Sequence, residues 1–293
     1  MRRMRVGRRL HVALLACIGL LAPGLTAGSD VADLKAVPFL GDKGRDGYAK
    51  FLAGQPTRAF ALGDNGSFGY SAKRESRARA VAVALYHCNR AARNICRVYA
   101  VDDDVEYPRY AAFERQSLEA LARLAREPVT YAEYAEEFKD FGVVSPENFR
   151  KDNYHAGTPL SLKGVRSTMT VDLVRMMTSS TPPVLIDALE GEGHKTLPGA
   201  YWVRGAGIYA ESDEGNAEIR DRLGYLLAGV TRGDKSRPIV FFCLDSWCWL
   251  SFNAALRARD LGYTNVHWYR GGVKAWEAAR LEMLPALQYG QVR

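Results

Sequence analysis

Apolar and polar positions follow two periods along this chain, and the change of period marks its organisation. From Thr168 onward, short apolar runs alternate with stretches of helical spacing. Val184-Leu185-Ile186-Asp187, Ala200-Tyr201-Trp202-Val203, Ile239-Val240-Phe241-Phe242 and Val266-His267-Trp268-Tyr269 read as strands. They are nearly continuous in apolar residues, as strands covered on both faces are. Between and around them, Thr170 to Met177 predicts a short helix. Ile219, Leu223, Leu226, Leu227 and Val230 recur on one helical face, a further helix opens near Leu250, and a last one carries Trp276. Repeated strand–helix units of this kind predict an α/β fold, with a parallel sheet flanked by helices in the C-terminal half.

The N-terminal part is patterned differently. Ala59-Phe60-Ala61-Leu62 and Phe68-Gly69-Tyr70 flank the turn signal Asp64-Asn65-Gly66-Ser67, Ala78 to His87 is helical, and Cys96 to Val101 is a strand. Residues 110–140 give two helical patterns. The first places Leu118, Leu121, Leu124 and Ala125 on one face, and the second is a Tyr/Phe-rich segment after Thr130. The stretch 144–165 is polar and punctuated by Pro146, Gly157, Pro159 and Gly164, which predicts a connector. The expected organisation is therefore a smaller α/β (α+β) domain with a helical extension over 28–150, a connector over 151–167, and the parallel-sheet domain over 168–293.

Residues 1–27 read as a signal peptide. Arg2, Arg3, Arg5, Arg8 and Arg9 precede the apolar stretch Leu10 to Leu21, and Leu25-Thr26-Ala27 offers a small-residue cleavage site. Export to the periplasm is the expectation. It changes the meaning of the charge: of 40 basic residues five lie in this segment, leaving 35 against 33 acidic ones, a net +2. No basic tract beyond an ordinary solvated surface remains, which argues against nucleic acid as a partner. No second long apolar run follows, so no stable membrane span is expected after cleavage.

Four cysteines remain beyond that segment, in a compartment where disulfides persist. Cys88 closes a predicted helix and Cys96 opens a predicted strand, a placement that suits a structural disulfide. Cys243 and Cys248 are the candidate reactive residues. Cys243 ends an apolar strand and stands before a helix, so backbone N–H groups and the positive end of the helix dipole favour thiolate over thiol. The loop that carries this chemistry is Leu244, Asp245, Ser246, Trp247 and Trp249. A buried or disulfide-locked pair is the alternative. The run Asp102-Asp103-Asp104 reads as a solvated turn, and the histidines at 87, 155, 194 and 267 have no ligand spacing, so neither a metal nor another cofactor is expected. His194 reads as a loop-bonding residue and His267 as a sheet residue.

In order and spacing, Val184–Asp187, Gly193-His194, Pro198-Gly199-Ala200, the strand ending in Cys243, Ala254-Ala255, Leu261-Gly262-Tyr263 and Gly271-Gly272 with Trp276 resemble a rhodanese-like domain over roughly 165–285. Within that superfamily, Cys248-Trp249, Ser251, Asn253-Ala254-Ala255, Trp268-Tyr269, Tyr154 and Thr158-Pro159 resemble the periplasmic CXXCW-motif proteins associated with pyrroloquinoline-quinone (PQQ)-dependent catabolism. The resemblance implies a Cys243 persulfide, a sulfur donor or thiol acceptor as partner, and the neighbourhood of a periplasmic quinoprotein dehydrogenase or cytochrome c. The loop departs from a rhodanese loop in having no basic residue. Asp245 repels thiosulfate, and the next arginine, Arg257, lies well into the helix. Trp249 stands where the Cys-x5-Arg loop of a phosphatase needs its guanidinium, which counts against phosphate chemistry. Three readings stay open: sulfane-sulfur transfer through Cys243, a Cys243/Cys248 thiol–disulfide redox partner, and a non-catalytic docking module presenting the tryptophans.

Overall fold

The computed structural model describes residues 30–92, 94–126 and 128–292. The expected signal peptide, with Cys17, lies outside the described residues.

The N-terminal region packs two helices on opposite faces of an antiparallel sheet. Its elements are α1 (Asp42–Leu52), β1 (Ala59–Gly63), β2 (Phe68–Ser71), α2 (Arg77–Ala91), β3 (Cys96–Val101), β4 (Asp104–Val105) and α3 (Tyr107–Leu124), with sheet order β2-β1-β3-β4. Side chains of β1 alternate as strand geometry demands. Phe60 and Leu62 join Tyr48 and Phe51 of α1, while Ala59 and Ala61 meet Ala80, Ala84 and Leu85 of α2. Ser76 caps α2 by accepting the Arg79 N–H at 3.2 Å. The acidic run forms the β3–β4 turn. There Asp103 pairs with Arg58 at 2.7 Å and Asp104 with Arg77 at 2.8 Å, so these carboxylates are neutralised by arginines.

The C-terminal half is a six-stranded parallel sheet. In chain order its elements are β5 (Arg166–Ser167), α4 (Thr170–Met177), β6 (Val184–Asp187), β7 (Lys195–Thr196), β8 (Tyr201–Arg204), α5 (Asp213–Thr231), β9 (Ile239–Phe242), α6 (Leu250–Asp260), β10 (Val266–Trp268), α7 (Gly272–Ala278), β11 (Leu284–Pro285) and β12 (Gln288–Gln291). The sheet order is β12-β8-β6-β9-β10-β5, every pairing parallel, and β7 pairs separately with β11. Alternation along the strands divides the core. Val184, Ile186, Ile239 and Phe241 face α5 and α6, whereas Leu185, Val240 and Phe242 face α4 and α7. All five residues read as one face of α5 are buried.

The two regions share one core. Tyr289 of β12 is buried against Tyr110, Phe113 and Tyr201, and it accepts a hydrogen bond from Asn89 at its carbonyl. Tyr110 donates to the Gln288 carbonyl at 2.6 Å. The last strand therefore ties α2 and α3 to the parallel sheet.

Two local expectations are corrected. Leu118 is 70% exposed; the buried face of α3 is Tyr110, Phe113, Ser117, Ala120 and Leu124. The predicted second helix after Thr130 is absent: this stretch forms a turn over 135–138, with Ala135 and Glu136 at positive φ. Its backbone has other partners. Arg270 takes the carbonyls of Glu137 at 3.0 Å and Lys139 at 2.8 Å, and Glu137 accepts the Thr170 N–H at 2.6 Å. Tertiary capture outweighs a helical pattern of this length.

Candidate functional site

Strand β9 is buried throughout and delivers Cys243 at the carboxyl end of the sheet, between β6 and β10, where crevices form in parallel sheets. The first amides of α7 fix the chain as it leaves the strand. Val273 N–H donates to the Cys243 carbonyl at 2.9 Å and Lys274 N–H to the Leu244 carbonyl at 2.8 Å. This close approach requires glycine at 272, where φ is +58° and a Cβ would sit 2.3 Å from the Cys243 oxygen.

The loop then folds back on itself. Asp245 Oδ1 accepts the Trp247 N–H at 3.0 Å and the Asp245 carbonyl accepts the Cys248 N–H at 3.1 Å. The turn brings Cys248 to a Cα–Cα distance of 6.3 Å from Cys243, and the two sulfurs are bonded. Cys243 is 1% exposed and Cys248 5%. A hydroxyl also meets the deeper sulfur: Ser251 Oγ, in the first turn of α6, lies 3.3 Å from Cys243 Sγ. A disulfide sulfur carries no proton, so the hydroxyl is the donor. The indole N–H of Trp268 donates to the same Ser251 oxygen at 3.0 Å and so turns its proton toward the sulfur. Cys243 thus has a helix N-terminus and an oriented donor beside it, two features that favour negative charge on sulfur.

The connector is part of this site. Residues 154–158 run antiparallel along the loop, with His155 opposite Cys248. Trp249 N–H donates to the Tyr154 carbonyl at 2.9 Å, Ala156 N–H to the Trp247 carbonyl at 2.8 Å, and Thr158 Oγ1 to the Ser246 carbonyl at 2.6 Å. Buried Arg270 locks this strap by donating to Thr158 Oγ1 at 2.9 Å and the Thr158 carbonyl at 3.1 Å. Burial draws the Arg270 pKa down from the usual arginine value, partly opposed by Asp140 and Glu136. Asn253 holds the connector upstream, bonding both the N–H and the carbonyl of Arg150. Glu137 is buried among Thr170 N–H and Thr170 Oγ1, and burial raises its carboxyl pKa to about 7 against the pull of those donors.

Of the loop residues, Trp247 is the exposed one at 36%, with its ring 4.5 Å from Phe141 and its indole N–H on Glu136 at 2.9 Å. Trp249 is buried against Phe252. Leu244 and Asp245 are half-buried, and Ser246 is buried. Ser246 Oγ and Trp249 Nε1 have no hydrogen-bond partner in the protein, and buried donors of this kind call for a polar group to meet them. Arg257 is buried and turned away from the loop, donating to the carbonyls of Ala206 and Ile208. Burial lowers its pKa to about 10.

The remaining candidates have structural surroundings. Cys88 and Cys96 are bonded, with Cα–Cα 6.1 Å. His194 bonds within its loop: Nδ1 faces the Gly191 carbonyl at 3.1 Å and Nε2 faces the buried Asp187 carboxylate at 2.9 Å. Both nitrogens meet acceptors, so although burial opposes charge, Asp187 and the Gly191 carbonyl raise its pKa. His267 lies in β10 between Thr168 and Asn265, and burial lowers its pKa to about 4. Among the described residues no group of three or more His, Cys, Asp or Glu side chains is placed to hold a metal, and no helix is long and apolar enough to cross a membrane.

The strap, the Ser251–Trp268 pair and Arg270 escape a reading of local pattern. Ser251 and Trp268 lie seventeen residues apart, and only the sheet brings them together. Arg270 lies two residues beyond β10, and that placement at the carboxyl end of the sheet was the one available signal.

Residues 170–279 match the family model described as Rhodanese-like domain, and this part of the chain is a rhodanese-like domain. No curated protein matches the chain significantly.

Proposed function

We propose that this protein transfers sulfane sulfur through a persulfide on Cys243, and that the Cys243–Cys248 disulfide is its resting, oxidised form. The observation that carries the reading is the position of Cys243. It directly follows β9 of a rhodanese-like domain, next to the N-terminus of α6 and under the Ser251 hydroxyl. In the reduced protein the Cys243 thiolate attacks the outer sulfur of the donor. A new S–S bond forms, the donor's S–S bond breaks, and the remainder leaves with the electron pair. Ser251 and the α6 dipole stabilise the thiolate before attack. The loop itself carries no cation, and its buried Ser246 Oγ and Trp249 Nε1 have no partner in the protein.

The observed disulfide also favours a second reading, in which Cys243 and Cys248 exchange electrons with a client dithiol and no sulfur is carried. The two separate in one experiment. Reduced protein is incubated with thiosulfate or a neutral polysulfide, and the mass of the Cys243 peptide is followed. Sulfur transfer requires that Cys243→Ala abolish persulfide formation and Cys248→Ala retain it. A redox pair loses cycling equally in either variant.

Export to the periplasm and service to a quinoprotein dehydrogenase or cytochrome c belong to the same proposal. They rest on residues 1–27 and on the likeness to the PQQ-associated proteins. One departure stands beside that likeness: four residues separate Cys243 from Cys248, where the CXXCW name specifies two. The test is fractionation of cells expressing the full chain, followed by cross-linking through Trp247→Cys. Retention of the uncleaved chain in the cytoplasm would overturn it.

A further inference from the structure

We infer that Cys248 is a resolving cysteine, so that the site discharges its sulfur as hydrosulfide instead of handing it to a bulky acceptor. The inference rests on the persulfide reading above and adds the fate of the sulfur. Three observations carry it. The Cys248 sulfur reaches bonding distance of Cys243 Sγ itself, with no other element intervening. Cys243 is 1% exposed at the base of the loop, so a large acceptor thiol has no open approach to a sulfur carried on it. The Ser251 hydroxyl, oriented by Trp268, serves one of the two sulfurs and so assigns them different roles.

The chemistry balances in three steps. The Cys243 thiolate attacks the sulfane sulfur of thiosulfate, and sulfite leaves with the bonding pair. Cys248 then attacks Cys243 Sγ. The Cys243–Cys248 bond forms, the bond from Cys243 to the carried sulfur breaks, and that sulfur takes the electron pair and the Cys248 proton as hydrosulfide. The two cysteines are oxidised and the sulfane sulfur is reduced. An external dithiol restores the pair. It attacks Cys248, the less buried residue of the pair, and Cys243 departs as a thiolate toward the Ser251 hydroxyl. Across the cycle, thiosulfate and a dithiol give sulfite, hydrosulfide and a disulfide.

Intramolecular attack by a positioned thiol outruns attack by a dilute external one by orders of magnitude, so the wild-type persulfide is short-lived. The test is a single turnover. Full-length protein is reduced, freed of reductant and mixed with thiosulfate, and in parallel with inorganic polysulfide. Hydrosulfide, the Cys243–Cys248 disulfide and the Cys243 persulfide are followed together. Wild type should release hydrosulfide in step with disulfide formation. Cys248→Ser should accumulate the persulfide and release hydrosulfide at least about tenfold more slowly. A wild-type persulfide as durable as that of Cys248→Ser, with no disulfide formed, would overturn the resolving role and leave sulfur transfer intact. Absence of persulfide in Cys248→Ser together with absence of hydrosulfide from wild type would overturn the sulfur-transfer reading itself. The wild-type arm needs no variant to fold, so the stoichiometry of hydrosulfide to disulfide decides the question alone.

Discussion

Among the described residues two short-range disulfides of nearly equal Cα–Cα distance, 6.1 and 6.3 Å, lie one in each region. Cys88–Cys96 closes eight residues and Cys243–Cys248 five, and all four cysteines are buried. Their electrostatic settings are opposite. Cys88 sits in the last turn of α2, at the negative end of the helix dipole, which disfavours a thiolate, and Cys96 begins a strand with its own N–H already bonded to Asn89. Cys243 sits before the first turn of α6 with a serine hydroxyl on its sulfur. Bond and burial alike do not make a cysteine pair inert or reactive; the charge that the surroundings tolerate on the leaving sulfur does.

The largest expected effects would break this contrast if they failed. Cys88→Ala/Cys96→Ala should cost about 2–3 kcal/mol of stability, the loop-entropy value for so short a closure. It should leave persulfide loading of Cys243 unchanged. Urea unfolding and the mass of the Cys243 peptide check the two halves of the statement. On titration of folded wild type with a dithiol, Cys243–Cys248 should open before Cys88–Cys96, as read by differential alkylation. The reverse order would remove the ground for calling the C-terminal pair reactive.

The 135–138 turn, held by the same Arg270 that locks the strap, adds a pH dependence. Burial raises the Glu137 carboxyl from 4.5 to about 7 in the fold, so folding favours its protonated form. Its contribution is therefore fully present below about pH 4.5 and is lost as pH rises through about 7. Glu137→Gln, which keeps an acceptor for the Thr170 N–H, should match wild type near pH 4 and exceed it in stability near pH 8. Urea midpoints at the two pH values are the measurement. A variant less stable than wild type at both would show that the carboxylate at the α4 N-terminus is the favoured form.

Most of the architecture was legible because it rests on strands whose pattern admits one reading. Ile239–Phe242 and Cys96–Val101 are bounded as their apolar runs imply. The short strands β5, β7 and β11 carry two residues each and no period can be read from two. The segment after Thr130 misled for a different reason: its aromatic residues take separate partners, Tyr131 on Asp172, Tyr134 on the core beneath α4 and α7, and Phe141 on Trp247, instead of forming one helical face. At the candidate site, local sequence pointed to Cys243 and its loop. Local pattern was silent on the strap, because Tyr154 and Ala156 bond the loop through their backbones, and the Thr158 hydroxyl that joins them has no local periodicity; Tyr154 and Thr158 entered only through the family resemblance.

Ser251 sharpens the contrast at the level of one hydrogen bond. A hydroxyl donated to a thiolate is a charge-assisted bond worth roughly 1.5–3 kcal/mol. In a Cys248→Ser background, Ser251→Ala should therefore slow iodoacetamide alkylation of Cys243 by about tenfold at neutral pH. The rate–pH profile should move to higher pH, a displacement that loosened packing alone would not produce. Trp268→Phe keeps an aromatic ring but loses the indole N–H and so frees the hydroxyl to rotate, and it should give a smaller change in the same direction. An unchanged profile in both would take the donor out of the mechanism.

The smallest effect concerns the charge at the mouth of the loop. Asp245 is half-buried and its carboxylate already accepts the Trp247 N–H, a bond that asparagine can preserve through its own carbonyl oxygen. Asp245→Asn therefore removes charge while keeping the turn that brings Cys248 to Cys243. Repulsion of a thiosulfate anion a few ångströms away through solvent amounts to about 1 kcal/mol, or roughly fivefold in loading rate, and salt weakens it. Loading from thiosulfate should quicken by that factor at low ionic strength and by less at high, while loading from a neutral polysulfide should not change. Equal acceleration with both donors would mean that Asp245 acts through the shape of the loop, because a change in charge alone cannot quicken attack on an uncharged donor by as much as on an anion.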